Sequence, residues 1–208
     1  MSTTAAELVP SVPTLFGFYH PDGPHVLASP RAHVVIDDGR RFLERAGDTF
    51  DLITVDPPPP VEAAGSGLLY SREFYGTARR RLRRGGILAQ WFPGGEPAIA
   101  TAVTHAIVDS FPYVRMYPSI EGWGYHYFAS DTPIPERSAA DLAGRLPPRA
   151  AADLVEWFEG MSAPQLVERF LAQEIATSPF LASAPPAPAL VDDRPFNEYF
   201  LLRRTLGR

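Results

Sequence analysis

The sequence predicts an α/β protein with a doubly wound, mainly parallel sheet. Three observations predict it: short β-branched runs recur along the chain, helical periodicity separates them, and acidic residues follow two of the runs directly. In an open parallel sheet, ligands bind outside the carboxyl ends of the strands. The residues just after the strands therefore carry the most functional weight.

The first run is Ala32 to Ile36 (AHVVI), followed by Asp37, Asp38 and Gly39 and then RRFLERA, which reads as strand, acidic turn and short helix. Asp51 to Val55 (DLITV) is a second strand, stopped by Asp56 and four prolines, residues that cannot donate to a sheet ladder. Ser71 to Arg84 (SREFYGTARRRLRR) is predicted as a helix with Ser71 as N-cap and Phe74, Ala78 and Leu82 on one face; Gly85 and Gly86 end it. Ile87 to Phe92 (ILAQWF) is the next strand. Pro97 to Ser110 is a helix with Ile99, Val103 and Ile107 at i, i+4 spacing, and Tyr113 to Tyr117 and Tyr125 to Ser130 are paired terminal strands.

After Asp131 the texture changes. TPIPERS, LPPRAA and APPAPA separate predicted helices at Ala139 to Arg145, Ala151 to Phe158 and Ala163 to Ile175. The closing DDRPFNEYFLLRR returns to an aromatic-apolar pattern and is predicted as a final strand returning to the main body. The expected division is a core over 1–130 and a Pro/Ala-rich helical extension over 131–208. No internal repeat is visible.

With 208 residues, 45% hydrophobic and 21% charged, the chain has the balance of a globular protein with one substantial core. A net charge of −5 argues against a nucleic-acid partner, which wants a basic surface. The one basic cluster, Arg79, Arg80, Arg81, Arg83 and Arg84, closes a predicted helix, where cations suit the dipole. No apolar run approaches the roughly 18 residues of a membrane span, and the N-terminus lacks the pattern of a secretory leader. The expectation is a soluble, cytoplasmic chain without a membrane segment.

The absence of Cys removes disulfides, thiolate metal sites and cysteine nucleophiles. Chemistry then falls to carboxylates, His, Tyr or Ser. His20, His25, His33, His105 and His126 show no metal-ligand spacing, so no metal is expected. Glu7, Asp38 and Asp56 are the candidate acids. A carboxylate can accept two ribose hydroxyls, and one facing an ammonium group both binds the cation and can remove its proton. Structural readings stand beside these: Asp38 with Gly39 as a helix cap, Asp56 as a strand terminator, Glu7 as a surface residue, and Gln90 and Trp91 as partly buried sheet residues. Asp192, Asp193 and Arg194 read as a charged turn, or as a carboxylate pair attracting a polycation.

IDDGRRFL, FDLITVDPPPP, LLYSREFY and RRGGILAQWFP, in that order, resemble consecutive motifs of the polyamine aminopropyltransferases, especially divergent bacterial spermidine synthase-like proteins. The resemblance runs from about Glu7 to Ser130. It implies a sheet of the class I S-adenosylmethionine-dependent methyltransferase, Rossmann-like type. It also implies a transferase of polyamine biosynthesis that moves an aminopropyl group from decarboxylated S-adenosylmethionine to a diamine such as putrescine, without a metal. By the same resemblance, Glu7 takes the ribose hydroxyls, Asp38 with Gly39 receives the adenine amino group, and Asp56 is the base. Tyr70 lies in the stretch that closes over the site, and Gln90 is a motif glutamine on the following strand. Aromatic rings beside a sulfonium or amine cation give Tyr70, Trp91, Trp123 and Tyr125 cation–π roles. A homodimer is also implied.

The sequence departs from the family pattern twice. Pro59 stands where a second Asp usually helps to hold the amine. The Gly-rich turn after the first strand should precede Glu7 by about 20 residues, yet only six residues do, so an incomplete N-terminal side is expected. Two other readings remain open: a methyltransferase using S-adenosylmethionine itself, and a non-catalytic remnant that binds a partner supplying the missing strand. The DPPP string also resembles the loop of amino-methyltransferases acting on bases, but the acidic charge and LLYSREFY fit that reading less well.

Overall fold

The structure is a computed structural model that describes residues 2–57, 61–120 and 122–207. Contacts divide the chain after Asp48 into two compact units.

In the first unit, β1 (Thr3–Glu7) and β2 (Ala32–Ile36) pair in parallel from Thr3 opposite Ala32 to Glu7 opposite Ile36. Helices α1 (Ser11–Tyr19) and α2 (Gly23–Leu27) connect them, and α3 (Gly39–Arg45) follows β2. A parallel pair needs such a crossover because a tight turn can only reverse the chain. Helices α1 and α2 have no counterpart in the sequence expectation: SVPTLFGFY carries Pro13 and no charged residue to mark a polar face.

In the second unit, β3 (Phe50–Val55) pairs in parallel with β4 (Leu82–Phe92). Between them lie a 3₁₀ turn at Ser66–Leu69 and α4 (Arg72–Arg81). Helix α5 (Pro97–Ser110) leads to β5 (Tyr113–Pro118) and β6 (Tyr125–Ser130), and the sheet order is β3-β4-β6-β5. Both pairings of β6 are antiparallel, so β5 and β6 pair as the sequence predicts. The protein is α/β, with parallel strand pairs joined by helices.

Alternation along β4 decides which face is core. Leu88, Gln90 and Phe92 are buried, as are Ile99, Val103 and Ile107 of α5 and Phe74 and Ala78 of α4. Each fully buried large apolar side chain in this layer contributes about 2 kcal/mol of hydrophobic stabilisation. The three residues read at i, i+4 spacing on α5 are buried, and so is most of the rest of that helix, including Ala100, Thr101, Ala102 and Thr104.

In the second unit, five segments differ from the sequence expectation. Helix α4 ends at Arg81, and Leu82, predicted on its apolar face, is already extended and paired with Phe50. The sheet ladder takes over three residues before Gly85, so only Arg79, Arg80 and Arg81 close the helix; Arg83 bonds Asp51 beside the strands at 3.0 Å. Helix α7 (Pro148–Leu154) starts earlier than predicted because a proline at its first position presets the helical φ. Helix α8 (Ala163–Leu171) stops short of Ile175, whose N–H donates to the Met116 carbonyl at 2.8 Å and forms a bridge with β5. Helix α6 (Ala139–Gly144) matches, and α9 (Thr177–Ser183) was not expected.

The fifth difference is the predicted final strand. Residues 200–205 form a helix, α10 (Phe200–Thr205), with Phe200 against Phe196 one turn away at 5.0 Å. A short apolar run does not distinguish strand from helix by periodicity. Arg203 bonds the carbonyls of Pro195 and Phe196, and Arg204 pairs with Glu96 at 2.9 Å, which fastens the helix.

Candidate functional site

In the second unit, Asp56 directly follows the last residue of β3. It lines a cavity of about 420 Å³ together with Thr54, Ala89, Gln90, Trp91 and His126. Register explains the grouping: Thr54 lies opposite Ala89, and Trp91 opposite His126, on the sheet face away from Leu88 and Phe92. The Asp56 carboxylate is exposed, with no hydrogen bond or ion pair to any described residue. An acid with no partner among the described residues and a cavity beside it is available to an incoming cation.

Tyr70 is buried, edge-on to Phe92 with ring centroids 5.8 Å apart, and its hydroxyl has no partner among the described residues. Burial raises its pKa far above the ordinary tyrosine value and the nearby Asp56 charge raises it further, so the phenol stays protonated. Gln90 is also buried. Its Nε2 donates to the Leu69 carbonyl at 3.0 Å, while Oε1 has no partner among the described residues. Gln90 thus fastens the stretch ending in Tyr70 to the sheet.

The other end of that stretch is held by a residue the sequence did not single out. Asn197, fully buried, donates through Nδ2 to the Val61 carbonyl at 2.5 Å and to Ser66 Oγ at 2.9 Å. Glu198 accepts from the Gly67 N–H at 3.2 Å, and the Tyr199 N–H donates to the Glu62 carbonyl at 2.9 Å. Tyr199 has φ 54°, a left-handed conformation uncommon for a bulky residue, and sits at the start of α10. The DDRPFNEY segment therefore returns to the body as a clamp on the 61–67 loop. Its aromatic pattern was visible in the sequence; the bonds made by Asn197 were not.

Trp91 and Trp123 meet edge to face at 5.1 Å, but Trp123 and Tyr125 line a separate cavity of about 450 Å³ with Phe180. Asp192, Asp193 and Arg194 form the charged turn, closed by the Arg194 N–H to the Val191 carbonyl at 3.0 Å. The Asp192 N–H donates to Glu73 at 3.1 Å, which ties this turn to α4. Pro59 lies outside the described residues.

In the first unit, Glu7 and Asp38 stand at the carboxyl ends of adjacent parallel strands. The Asp37 N–H donates to the Glu7 carbonyl at 3.1 Å. Glu7 Oε1 accepts from the Val9 N–H at 2.8 Å, and Asp38 caps α3 by accepting from the Arg41 N–H at 2.8 Å. Asp38 is thus a helix cap, and each carboxylate retains acceptor sites beyond its single bond. Gly39 would meet nothing within 4 Å if it carried a Cβ, so the fold of this unit does not require glycine there. Asp37 is held below the usual carboxylate range, mainly by its hydrogen bond from Arg41. Among the described residues, no three His, Asp or Glu side chains are grouped to hold a metal ion, and no helix is long and apolar enough to cross a membrane.

The carboxyl end of α8 is anchored at the far edge of the sheet. Arg115 donates to Glu174 through Nε at 2.8 Å and a terminal nitrogen at 2.5 Å, and Tyr117 adds its hydroxyl at 3.0 Å. These bonds, led by that from Arg115, hold the Glu174 carboxyl below the usual range. The Tyr117 ring stacks on Phe170 at 4.6 Å.

Comparison with known proteins gives this geometry its relatives. A polyamine aminopropyltransferase from Hyperthermus butylicus is 32% identical over 120 residues, 54% of this chain and 39% of the relative. The chain therefore spans about two fifths of that protein's length. A solved structure of a probable spermidine synthase from Corynebacterium glutamicum superposes with a TM-score of 0.59 at 20% identity, covering 91% of this chain and 63% of the other. The human methyltransferase-like protein 13, solved in complex with SAH, gives a TM-score of 0.55 at 17% identity, covering 84% and 73%. These two likenesses identify the fold as that of class I S-adenosylmethionine-dependent methyltransferases. The family model described as "Spermine/spermidine synthase domain" matches residues 18–125. That stretch is more than half of the chain and includes Asp38, Asp56, Tyr70 and Gln90; the chain belongs to the spermine/spermidine synthase domain family.

Proposed function

We propose that the chain transfers an aminopropyl group from decarboxylated S-adenosylmethionine to an amine such as putrescine, with Asp56 as the base. The observation that carries this reading is the Asp56 carboxylate: it directly follows a parallel strand, makes no bond to a described residue and opens onto a cavity lined by Trp91 and His126. Membership of the family supports the same chemistry.

The donor, when bound, supplies a sulfonium-activated carbon. Glu7 would accept its ribose hydroxyls and Asp38, beside Gly39, its adenine amino group. Both acids have spare acceptor sites at neighbouring strand ends, which fits a nucleoside. Asp56 draws in the ammonium form of the acceptor and takes a proton from it, freeing the nitrogen lone pair. The nitrogen then bonds to the activated carbon, the carbon–sulfur bond breaks, and its electron pair leaves with sulfur as a neutral thioether. The Trp91 face adds cation–π attraction for the ammonium. Tyr70, held protonated, can donate a hydrogen bond but cannot act as the base near neutral pH.

Calorimetric titration with decarboxylated S-adenosylmethionine, S-adenosylmethionine and methylthioadenosine, on the wild type and Asp38→Ala, tests the nucleoside half of this reading. The expected result is preference for the decarboxylated compound or methylthioadenosine, lost in the variant. Tighter binding of S-adenosylmethionine would turn the reading towards methyl transfer. Binding of none of the three would overturn it.

A further inference from the structure

The floor of the Asp56 cavity is laid in rows across three strands. Val55 lies opposite Gln90 and Gln90 opposite Tyr127; one step along, Trp91 lies opposite His126. Asp56 follows Val55 and so continues this second row, and Asp56, Trp91 and His126 all line the cavity. The row reads carboxylate, indole, imidazole. Thr54, Ala89 and Phe128 form the row beside it.

Among the described residues lining this cavity, Asp56 is the one carboxylate. His126 also borders a separate cavity of about 270 Å³ walled by α7 and α8. The other side chains of that cavity, Leu154, Leu166 and Phe170 among them, are all apolar and offer the ring no hydrogen bond. Phe170 meets the imidazole edge-on at 6.2 Å.

We propose that His126 is the specificity residue for a diamine, accepting a hydrogen bond from its second nitrogen while Asp56 holds the first. This rests on the amine-site reading above and names the residue that tells a diamine from a monoamine at that site. A neutral imidazole has one accepting nitrogen, and a hydrogen bond from an ammonium group is charge-assisted and stronger than a neutral one. Asp56 and His126 are two strand spacings apart, about 10 Å between backbones. A four-carbon diamine, about 6 Å between nitrogens by its bond lengths, with a hydrogen bond of about 3 Å at each end, bridges that row. Trp91, between the two, gives the methylenes an apolar surface and the cations a π-face. Thr54 and Ser119 also bring hydroxyls to the cavity, but Thr54 stands in the neighbouring row on the strand that leads to Asp56, and Ser119 lies beyond the end of β5.

The test is calorimetry on the full chain with putrescine and butylamine, which share a four-carbon chain and differ by one nitrogen. Wild type should bind putrescine about tenfold tighter or more, the size of a hydrogen bond to a charged group. His126→Phe keeps a ring against Phe170 and removes the acceptor. It should bring putrescine to within about threefold of butylamine while butylamine itself stays within about threefold of wild type. His126→Ala gives the same comparison should phenylalanine not be accommodated, and His126→Gln, which restores an acceptor oxygen, should recover part of the preference. Equal binding of the two amines by wild type, or a tenfold preference that survives His126→Phe or His126→Ala, would overturn the proposal and leave Asp56 as an amine site. Loss of butylamine binding in both variants would overturn it too, by making His126 a structural residue. If wild type binds neither amine, the amine site falls with the proposal.

Discussion

Gln90 donates its side-chain amide to the backbone carbonyl of Leu69 across 3.0 Å, joining the core strand β4 to the stretch that ends in Tyr70. The motif glutamine is therefore a brace for the segment beside Asp56. Replacing it with leucine leaves the Leu69 carbonyl without its donor but also removes an Oε1 that has no partner among the described residues. The net cost to global stability should be small, about 1 kcal/mol. The local effect should be larger: the Tyr70 N–H, bonded to the Gly67 carbonyl, should exchange with solvent at least tenfold faster in Gln90→Leu. Unchanged protection at Tyr70 would refute the brace.

Asn197→Ala removes both donated bonds of a buried clamp, leaving Ser66 Oγ, at 2.6 Å, as the remaining side-chain donor to the Val61 carbonyl. A loss of about 2–3 kcal/mol in denaturant unfolding is expected, accompanied by proteolytic cleavage within residues 61–67. A loss below about 0.5 kcal/mol would show that the loop is held by other contacts.

Asp56→Asn separates chemistry from folding. The residue is exposed and makes no internal bond to a described residue, so unfolding should shift by less than about 0.5 kcal/mol. Aminopropyl transfer should fall by about 10² to 10⁴-fold, the span of a positioned general base. Full activity in the variant would remove Asp56 from the mechanism.

Glu174 gives the structure an acid-sensitive anchor. Its folded pKa lies below the ordinary value because Arg115 and Tyr117 bond the ionised form. Its contribution is therefore fully present above the unfolded pKa, roughly 4.3, and is lost as pH falls through the depressed folded value. Because the carboxylate is 37% exposed, the effect should stay near or below about 1 kcal/mol. Wild type should be more stable than Glu174→Gln at pH 7, and the two should converge as pH drops below about 4. A stability gap independent of pH would contradict this assignment.

The strands were legible because AHVVI, DLITV and ILAQWF are apolar runs with sharp polar or proline stops. The acids after two of them could be found from the same pattern. Leu82 could not be placed, since its spacing from Phe74 and Ala78 suits a helix face and only the partner Phe50 decides otherwise. FLLRRT was misread because six residues carry too little period to separate helix from strand. The cavity walled by α7 and α8 was invisible for another reason: Leu154, Leu166 and Phe170 look like ordinary amphipathic helix residues until the sheet face beneath them is known. Asn197 belongs to the same class, a single polar residue whose partners are carbonyl and hydroxyl groups far away in sequence.

That distance also sets an order of events during synthesis. Asn197 and the Val61 carbonyl are 136 positions apart. At 5–20 residues per second, a ribosome needs on the order of ten seconds to travel between them. For that interval β3, α4 and β4 can assemble while the loop beside Asp56 has no clamp. The loop beside Asp56 is thus closed only after the segment carrying Asn197 has emerged, so a nascent chain can hold its sheet well before it can hold that loop.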